Sequence, residues 1–269
     1  MPIITISRGT FSGGRDLAEA LACDLRIPCI SREVLVEAGA QYGAPEAAIS
    51  AALSHAPSIL DRLKRDRDRY LAFIRAVLCK HAREGDLIYH GHAGHHLLAG
   101  IRHVIRVRVV ADMSYRLSAA IRELNLTKRQ AQAHIKKVDG ARRKWTRFLH
   151  GVAWEDPGNY DVVLNLEHLG IDGACAAVVR LTELPQFQPT DESRKALENL
   201  TLQSTVLAAL ASDERTRDAD FRVRAQDGVI TVEGVAKLAE MTDSVDEIAS
   251  KIEGVTKVVN QVVTLGIPV

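Results

Sequence analysis

The first thirty residues combine a short apolar run, a glycine-rich turn and a helical pattern, in that order. Residues 3–6 read Ile-Ile-Thr-Ile, the composition of a strand that is buried on both faces. Residues 7–16 form the turn, and leucine and alanine then recur at helical spacing from Leu17 to Leu25. Converging backbone N–H groups and the positive end of a helix suit an anion. The stretch therefore predicts a strand, a candidate phosphate site and a helix in direct succession.

The turn fits the phosphate-loop pattern GxxxxGK[ST] at its two glycines and differs at its last two positions. Arg15 replaces the lysine, and arginine holds phosphate with bidentate geometry. Asp16 replaces the hydroxyl that holds Mg²⁺, and a carboxylate beside a triphosphate needs a metal between them. The loop by itself leaves an anion site and a ligand-free turn as alternatives. As a nucleotide site it would comprise Gly9, Thr10, Phe11, Ser12, Gly13, Gly14, Arg15 and Asp16.

Further apolar runs alternate with helical segments through residue 184. The predicted strands lie at 27–30, 86–90, 104–110 and 161–165. With the first strand they predict a five-stranded parallel sheet covered by helices on both faces, a three-layer α/β/α fold. Arg32 follows the second strand directly, at the edge of the sheet where ligands bind in open α/β folds.

Three polar segments each leave more than one interpretation. The histidines around the third strand's turn, His90, His92, His95 and His96, fit a metal site, a phosphate or base contact, or a structural role. The mixed charge run 62–69, which ends at Arg69, is a solvated helix face or a substrate contact. The basic helix predicted after Thr127 is a solvated helix or a lid that closes over an anionic ligand.

Composition excludes few classes of function. The net charge of +1 gives no global argument for nucleic acid binding. No apolar span approaches about 20 residues and no signal pattern begins the chain, which predicts a cytoplasmic protein. The four cysteines form no CxxC pair, which predicts reduced core cysteines.

A domain boundary is predicted near residues 185–190, which hold two prolines and no periodicity. From Leu200 onward the chain has 7 Lys and Arg against 11 Asp and Glu, so the balance becomes acidic. The predicted division is a first domain at 1–184, a linker at 185–199 and a second domain at 200–269. Limited proteolysis should cut within 185–190. In the second domain, Asp227-Gly228 between alternating runs is a strong hairpin signal.

Residues 1–184 resemble the cytidylate kinase-like family of phosphate-loop nucleoside monophosphate kinases. The order and spacing of several short motifs carry the resemblance: residues 4–8 and 12–15, 27–28, 31–33, 91–93, Asp139, Arg142 with Arg143, Gly151, Trp154, 156–157, 160–161 and Asn165.

The resemblance implies ATP, with Mg²⁺, as donor at the loop and a nucleoside monophosphate, CMP by default, as acceptor. The substrate contacts that it implies are Ser31, Arg32, Arg69 and His92. The catalytic residues that it implies are Arg15 and three lid residues, Asp139, Arg142 and Arg143. Two positions differ from the family pattern: His92 stands in place of an arginine, and the third strand ends at His90 without an acidic residue.

The tail from about Leu200 is similar to a BON domain, a small α/β module with a three-stranded sheet and two helices. The match lies at 227–235 and 254–260. The resemblance implies binding of a protein, ligand or membrane, or self-association, and the acidic balance argues against anionic lipid. Two functions therefore stay open: a nucleoside monophosphate kinase, and a nucleotide-binding sensor whose BON domain reports occupancy to a partner.

Overall fold

The computed structural model describes residues 2–49, 61–91 and 94–264; within these ranges the side chains of Arg32, of 37–38 and of 61–67 are left aside. The described residues form two compact units. The first contains residues 2–34 and 85–190, and the second contains 35–49, 61–84 and 191–264. Among the described residues, no helix is both long and apolar enough to cross a membrane.

The first unit is built on a parallel sheet of five strands. The strands are β1 Ile3–Arg8, β2 Cys29–Ser31, β3 Leu87–His90, β4 Val104–Val110 and β5 Val162–Asn165. Their order is β2-β3-β1-β4-β5, and every pairing is parallel. This confirms the predicted sheet. The central position of β1 places the loop that follows it at the middle of the sheet's carboxyl edge.

The described residues contain nine α-helices. They are α1 Gly14–Leu25, α2 Arg32–Gly39, α3 Asp61–Glu84, α4 Gly94–Leu97, α5 Met113–Leu124, α6 Lys128–His150, α7 Leu166–Thr182, α8 Asp191–Ser212 and α9 Ala239–Ser250. The N-terminal caps of two of these helices explain where they begin. Thr127 and Gln130 form a reciprocal capping box at the start of α6, and the Asn165 side chain accepts from the Glu167 amide to cap α7.

The core of the first unit lies between the sheet and the pair α1 and α7, which pack on the same face and against each other. Ile4 and Ile6 of β1 and Val107 of β4 supply the sheet side of this core, and all three are buried. Strands buried on both faces read as nearly continuous apolar runs, which is why β1 could be recognised in the sequence.

The second unit contains a three-stranded sheet with the strands β6 Asp220–Gln226, β7 Val229–Ala236 and β8 Lys257–Thr264. β6 and β7 are antiparallel, and β8 pairs in parallel with β7. The predicted hairpin is present, with Asp227 and Gly228 both at positive φ, 53° and 81°. One face of the sheet packs on α8 and α9.

The division of the chain differs from the predicted domains in two places. Helix α8 begins at Asp191, so residues 191–199 of the predicted linker are helical. Helix α3 packs along α8 within the second unit, although the sequence analysis assigned residues 61–84 to the first domain. Thr201 donates to the Cys79 carbonyl at 3.3 Å across this helix pair. The sequence could not show this pairing because the apolar face of α3 is covered by residues more than 100 positions away.

The cysteines agree only in part with the predicted core positions. All four are free, and Cys79 and Cys175 are buried, whereas Cys23 is exposed and Cys29 is half-buried. Burial raises the pKa of Cys79 to about 11, so this thiol stays protonated at neutral pH.

Candidate functional site

The loop between β1 and α1 leaves the first turn of α1 without a side-chain cap. Gly13 is the N-cap residue, with φ of 83°, and no side chain caps the helix there. A Cβ at Gly13 would lie 2.8 Å from Cδ1 of Leu166. Glycine therefore meets both the backbone conformation and the space available. Uncapped N–H groups and the helix dipole make this end of α1 suitable for an anion.

Asp139 holds helix α6 to the loop. Its Oδ1 accepts from the Thr10 amide at 3.0 Å and from the Thr10 hydroxyl at 2.7 Å. Arg116 pairs with Asp139, and its Nε donates to the Thr10 carbonyl at 2.8 Å. Arg142 donates to the Arg8 carbonyl at 3.1 Å and to the Thr10 hydroxyl at 3.0 Å. Because Asp139 is buried and surrounded by these donors, it fixes the loop in this arrangement.

Arg15, the predicted phosphate ligand, lies on the surface of α1. Its side chain is 57% exposed, and its Nε lies 3.8 Å from Asp16 Oδ1 and 3.6 Å from Glu19 Oε1. An exposed guanidinium with two weakly held carboxylate partners can turn toward a ligand at little cost. The structure thus keeps Arg15 beside the loop without directing it into the loop.

Arg8, at the end of β1, is placed more firmly. Its stem crosses Gly14 so closely that a Cβ there would lie 2.7 Å from both Cβ and Cδ of Arg8. The Nε atom is buried and has no hydrogen-bond partner among the described residues. Burial lowers the pKa of the Arg8 guanidinium, which stays charged because arginine titrates far above neutral pH.

A cleft of about 110 Å³ opens where β1, the loop, α1 and α5 meet. Its walls are formed by Arg8, Thr10, Phe11, Gly13, Arg15, Asp16, Tyr115, Ala119, Arg122 and Glu123. Three arginines face two carboxylates, so the cleft is positive overall before the helix dipole is added. A cleft of this size and charge suits phosphoryl groups.

The other predicted site residues are placed as follows. Arg143 is exposed and forms an ion pair with Glu155 at 2.6 Å, away from the Asp139 network. Ser31 ends β2 at the carboxyl edge of the sheet. Arg32 begins α2, without a described side chain, and His92 lies outside the described residues. Arg69 belongs to the second unit, where its guanidinium lies 5.7 Å from the Phe73 ring centre.

Two of the clustered histidines have structural surroundings. The His95 ring packs 4.8 Å from the Tyr160 ring and 4.0 Å from the His96 ring, centre to centre. Burial, and then the neighbouring His96, lowers the pKa of His95 to about 2, so it is neutral. Burial also lowers the pKa of His90, which ends β3 near Arg8. Among the described residues, no group of three or more His, Cys, Asp or Glu is placed to hold a metal ion.

The residues at the loop do not fit a protein-bound Mg²⁺. The hydroxyl of Thr10 donates to Asp139, and the hydroxyl of Ser12 donates to the Gly9 carbonyl at 2.9 Å. Asp16 lies beside Arg15, and β3 ends at the neutral imidazole of His90. Mg²⁺ requires oxygen ligands in near-octahedral geometry. The donors available here are therefore poor ligands for this ion.

Sequence reasoning missed four residues of the site: Arg8, Tyr115, Arg116 and Arg122. Tyr115 and Arg122 are seven positions apart and share one face of α5, as helical spacing requires. That spacing is a signal, but it shows only a common face. Nothing in the local sequence shows that Arg116 reaches Asp139, 23 residues later.

A parallel five-stranded sheet of order β2-β3-β1-β4-β5, with a glycine loop after its central strand, defines the first unit as a three-layer α/β/α fold. Residues 3–168 match the cytidylate kinase-like family, and residues 199–266 match the BON domain. The chain therefore belongs to the cytidylate kinase-like family and carries a BON domain after the kinase-like part.

Solved structures similar to this chain share mainly its fold. An uncharacterized protein from Eubacterium ventriosum is 19% identical, with a TM-score of 0.54 over 68% of this chain and 99% of that protein. The shikimate kinase of Bacteroides thetaiotaomicron is 13% identical, with a TM-score of 0.43 over 68% of this chain and 99% of the enzyme. No curated protein matches the chain.

Proposed function

We propose that the protein transfers the terminal phosphoryl group of ATP to a nucleoside monophosphate, with CMP as the first candidate. The observation that carries this proposal is the positive cleft at the uncapped N-terminus of α1, lined by Arg8, Arg15 and Arg122. The family of the first unit supports the reaction class. Such reactions are catalysed mainly by positioning and by positive charge around the transferred group.

In this proposal the loop N–H groups and the arginines of the cleft hold the donor phosphates. Arg15 turns from Glu19 to the phosphates when they bind. Arg142 stands behind Thr10 and adds positive charge to the loop. Asp139 acts as a positioning residue because its carboxylate is fully used by Thr10 and Arg116. Ser31, Arg32, Arg69 and His92 remain the predicted acceptor contacts.

A second candidate function is a nucleotide-binding sensor without turnover. One observation favours it: Arg143, a predicted catalytic residue, is paired with Glu155, and Asp139 is engaged by the loop itself. The BON domain, or self-association through it, would then report occupancy to a partner. ADP formation with CMP distinguishes the two, since a sensor binds ATP and releases no ADP.

The test begins with calorimetry of ATP and ADP binding to the full chain. Arg15→Ala should weaken binding by roughly tenfold to a hundredfold, because a charge-assisted bond to phosphate contributes about 1.5 to 3 kcal/mol. Arg15→Lys should lose less, since it keeps the charge. A coupled assay across the common monophosphates then identifies the acceptor. Absence of nucleotide binding in the wild type, or equal binding in all three proteins, would contradict a phosphate site.

A further inference from the structure

Arg8 is a half-buried cation with a buried Nε atom, and it forms no ion pair with the described residues. No ion pair within 4 Å joins it to a carboxylate among the described residues, and its Nε has no hydrogen-bond partner there. Glu33 and Asp16 act on it only through longer-range electrostatics. A desolvated charge without a partner lowers stability, so proteins keep such groups mainly where a ligand completes them.

The fold positions Arg8 toward the same place as the loop. Arg8 is the last residue of β1 and lines the cleft at the start of α1. Gly14 makes this possible, because any side chain there would displace the Arg8 stem. The Arg8 stem therefore lies against the first turn of α1, whose N–H groups also suit an anion.

The surroundings of Arg8 do not suit a metal ion. His90 ends the neighbouring strand β3, with an unpartnered buried Nδ1, and Arg8 is among the groups that disfavour positive charge on it. The loop hydroxyls of Thr10 and Ser12 are committed to protein acceptors. A second cation held by these residues would meet repulsion from a fixed guanidinium with too few oxygen ligands to offset it.

We propose that Arg8 binds the nucleotide phosphates directly and supplies the positive charge that a protein-bound Mg²⁺ supplies in other phosphate-loop proteins. The inference rests on the proposed nucleotide site and adds that phosphate binding there needs no metal held by the protein. Arginine suits this task because its planar fork donates two parallel hydrogen bonds to one phosphate.

The first experiment is calorimetry of ADP binding to the full chain, once with Mg²⁺ and once with excess EDTA. We expect the same affinity in both buffers, within about threefold. An affinity that falls by about tenfold or more in EDTA would overturn the inference and leave the proposed nucleotide site standing. No ADP binding in either buffer would end both, because the inference depends on that site.

The second experiment removes the charge and keeps the packing. Arg8→Met retains an unbranched apolar stem over Gly14 and should weaken ADP binding in EDTA by about tenfold to a hundredfold. Arg8→Lys should recover part of the loss, since it restores a point charge without the fork. The matched control is Arg129→Ala, which removes an exposed arginine of α6. This variant should bind ADP with the affinity of the wild type.

Thermal unfolding followed by tryptophan fluorescence shows whether Arg8→Met keeps its fold. Removal of a half-buried charge without an ion-pair partner should leave the unfolding temperature unchanged or raise it. A folded Arg8→Met variant with wild-type affinity for ADP would show that Arg8 is only structural. The same conclusion would follow if Arg8→Met were less stable than the wild type and Arg8→Lys had the stability of the wild type.

Discussion

Two regions of this protein, the first unit and residues 191–264, differ in how they satisfy buried polar groups. In the first unit, several buried nitrogen and oxygen atoms lack partners, among them Arg8 Nε, His90 Nδ1 and His95 Nε2. Arg69 Nε, in α3 of the second unit, is unpartnered like these atoms of the first unit. Between Asp191 and Thr264, where every residue is described, no buried side-chain nitrogen or oxygen is unpartnered. Buried polar groups are normally satisfied, so the unpartnered Arg8 Nε and His90 Nδ1 at the sheet's carboxyl edge support the proposed phosphate site. The BON sheet has the satisfied core of a stable module.

The two units also use glycine at positive φ for different ends. A side chain in place of Gly13 would put its Cβ 2.8 Å from a leucine methyl group, which can move. A side chain in place of Gly234 in β7 would put its Cβ 2.5 Å from the carbonyl oxygen of Asp220 in the paired strand, which cannot move without breaking hydrogen bonds between the strands. Gly13 is therefore required by the geometry of the loop at the proposed phosphate site, and Gly234 by the close pairing of β6 and β7.

The largest effect expected from this comparison is that of Gly234→Ala. The clash with the Asp220 carbonyl and the φ of 155° should lower the free energy of unfolding by about 2 to 4 kcal/mol. Gly13→Ala should instead weaken ADP binding, with a smaller loss of stability. Urea unfolding followed by circular dichroism, together with ADP calorimetry, measures both effects.

The tryptophans locate the damage, because both of them, Trp145 and Trp154, lie in the first unit. Gly234→Ala should shift the circular dichroism transition more than the fluorescence transition. If Gly13→Ala costs as much stability as Gly234→Ala and leaves ADP affinity intact, the assignment of one glycine to a site fails.

An effect of intermediate size is expected from pH. Burial lowers the pKa of His95 to about 2, whereas the ordinary histidine pKa is near 6.5. At pH values between these two, His95 is protonated in the unfolded chain and neutral in the folded chain. Stability is therefore complete above pH 6.5 and falls as the pH decreases. Between pH 7 and pH 5 one such histidine costs about 2 kcal/mol. Urea unfolding followed by tryptophan fluorescence at both pH values measures it.

His95→Phe keeps the ring contacts with Tyr160 and His96 and removes the titration. It should reduce the loss of stability between pH 7 and pH 5, whereas His168→Gln, at an exposed position, should leave it unchanged. The remainder of the loss belongs to His90 and His96, whose pKa values are also lowered by burial. An equal pH dependence in the wild type and His95→Phe would show that His95 is not the group responsible.

The smallest expected effect is a gain. Gly140 lies inside α6, and no atom lies within 4 Å of the Cβ that an alanine would place there. Gly140→Ala should raise the free energy of unfolding by about 0.5 to 1 kcal/mol, since glycine is the less favourable residue in a helix interior. Thermal unfolding measures the gain. A loss of ADP affinity in this variant would show that nucleotide binding requires the backbone flexibility of Gly140 in α6, and that this glycine also belongs to the site.

The sequence alone determined the strands, their order and most of the helices, although it missed the start of α8. Short runs rich in valine and isoleucine predicted the five strands of the first sheet. Thr127 predicted the start of α6, and Asp227-Gly228 predicted the hairpin. These signals are local, since the residues that cause a cap or a turn lie within a few positions of one another.

Only the tertiary structure decided what the polar residues do. Asp139, expected at the transferred phosphate, instead holds Thr10 from a helix 129 residues away in the chain. Arg143 forms an ion pair with Glu155. Arg8 lines the cleft because Gly14 leaves space for its stem. The packing of α3 on α8 was likewise hidden. Each of these outcomes depends on which distant groups compete for the same donor, acceptor or apolar face, and sequence spacing does not report that competition.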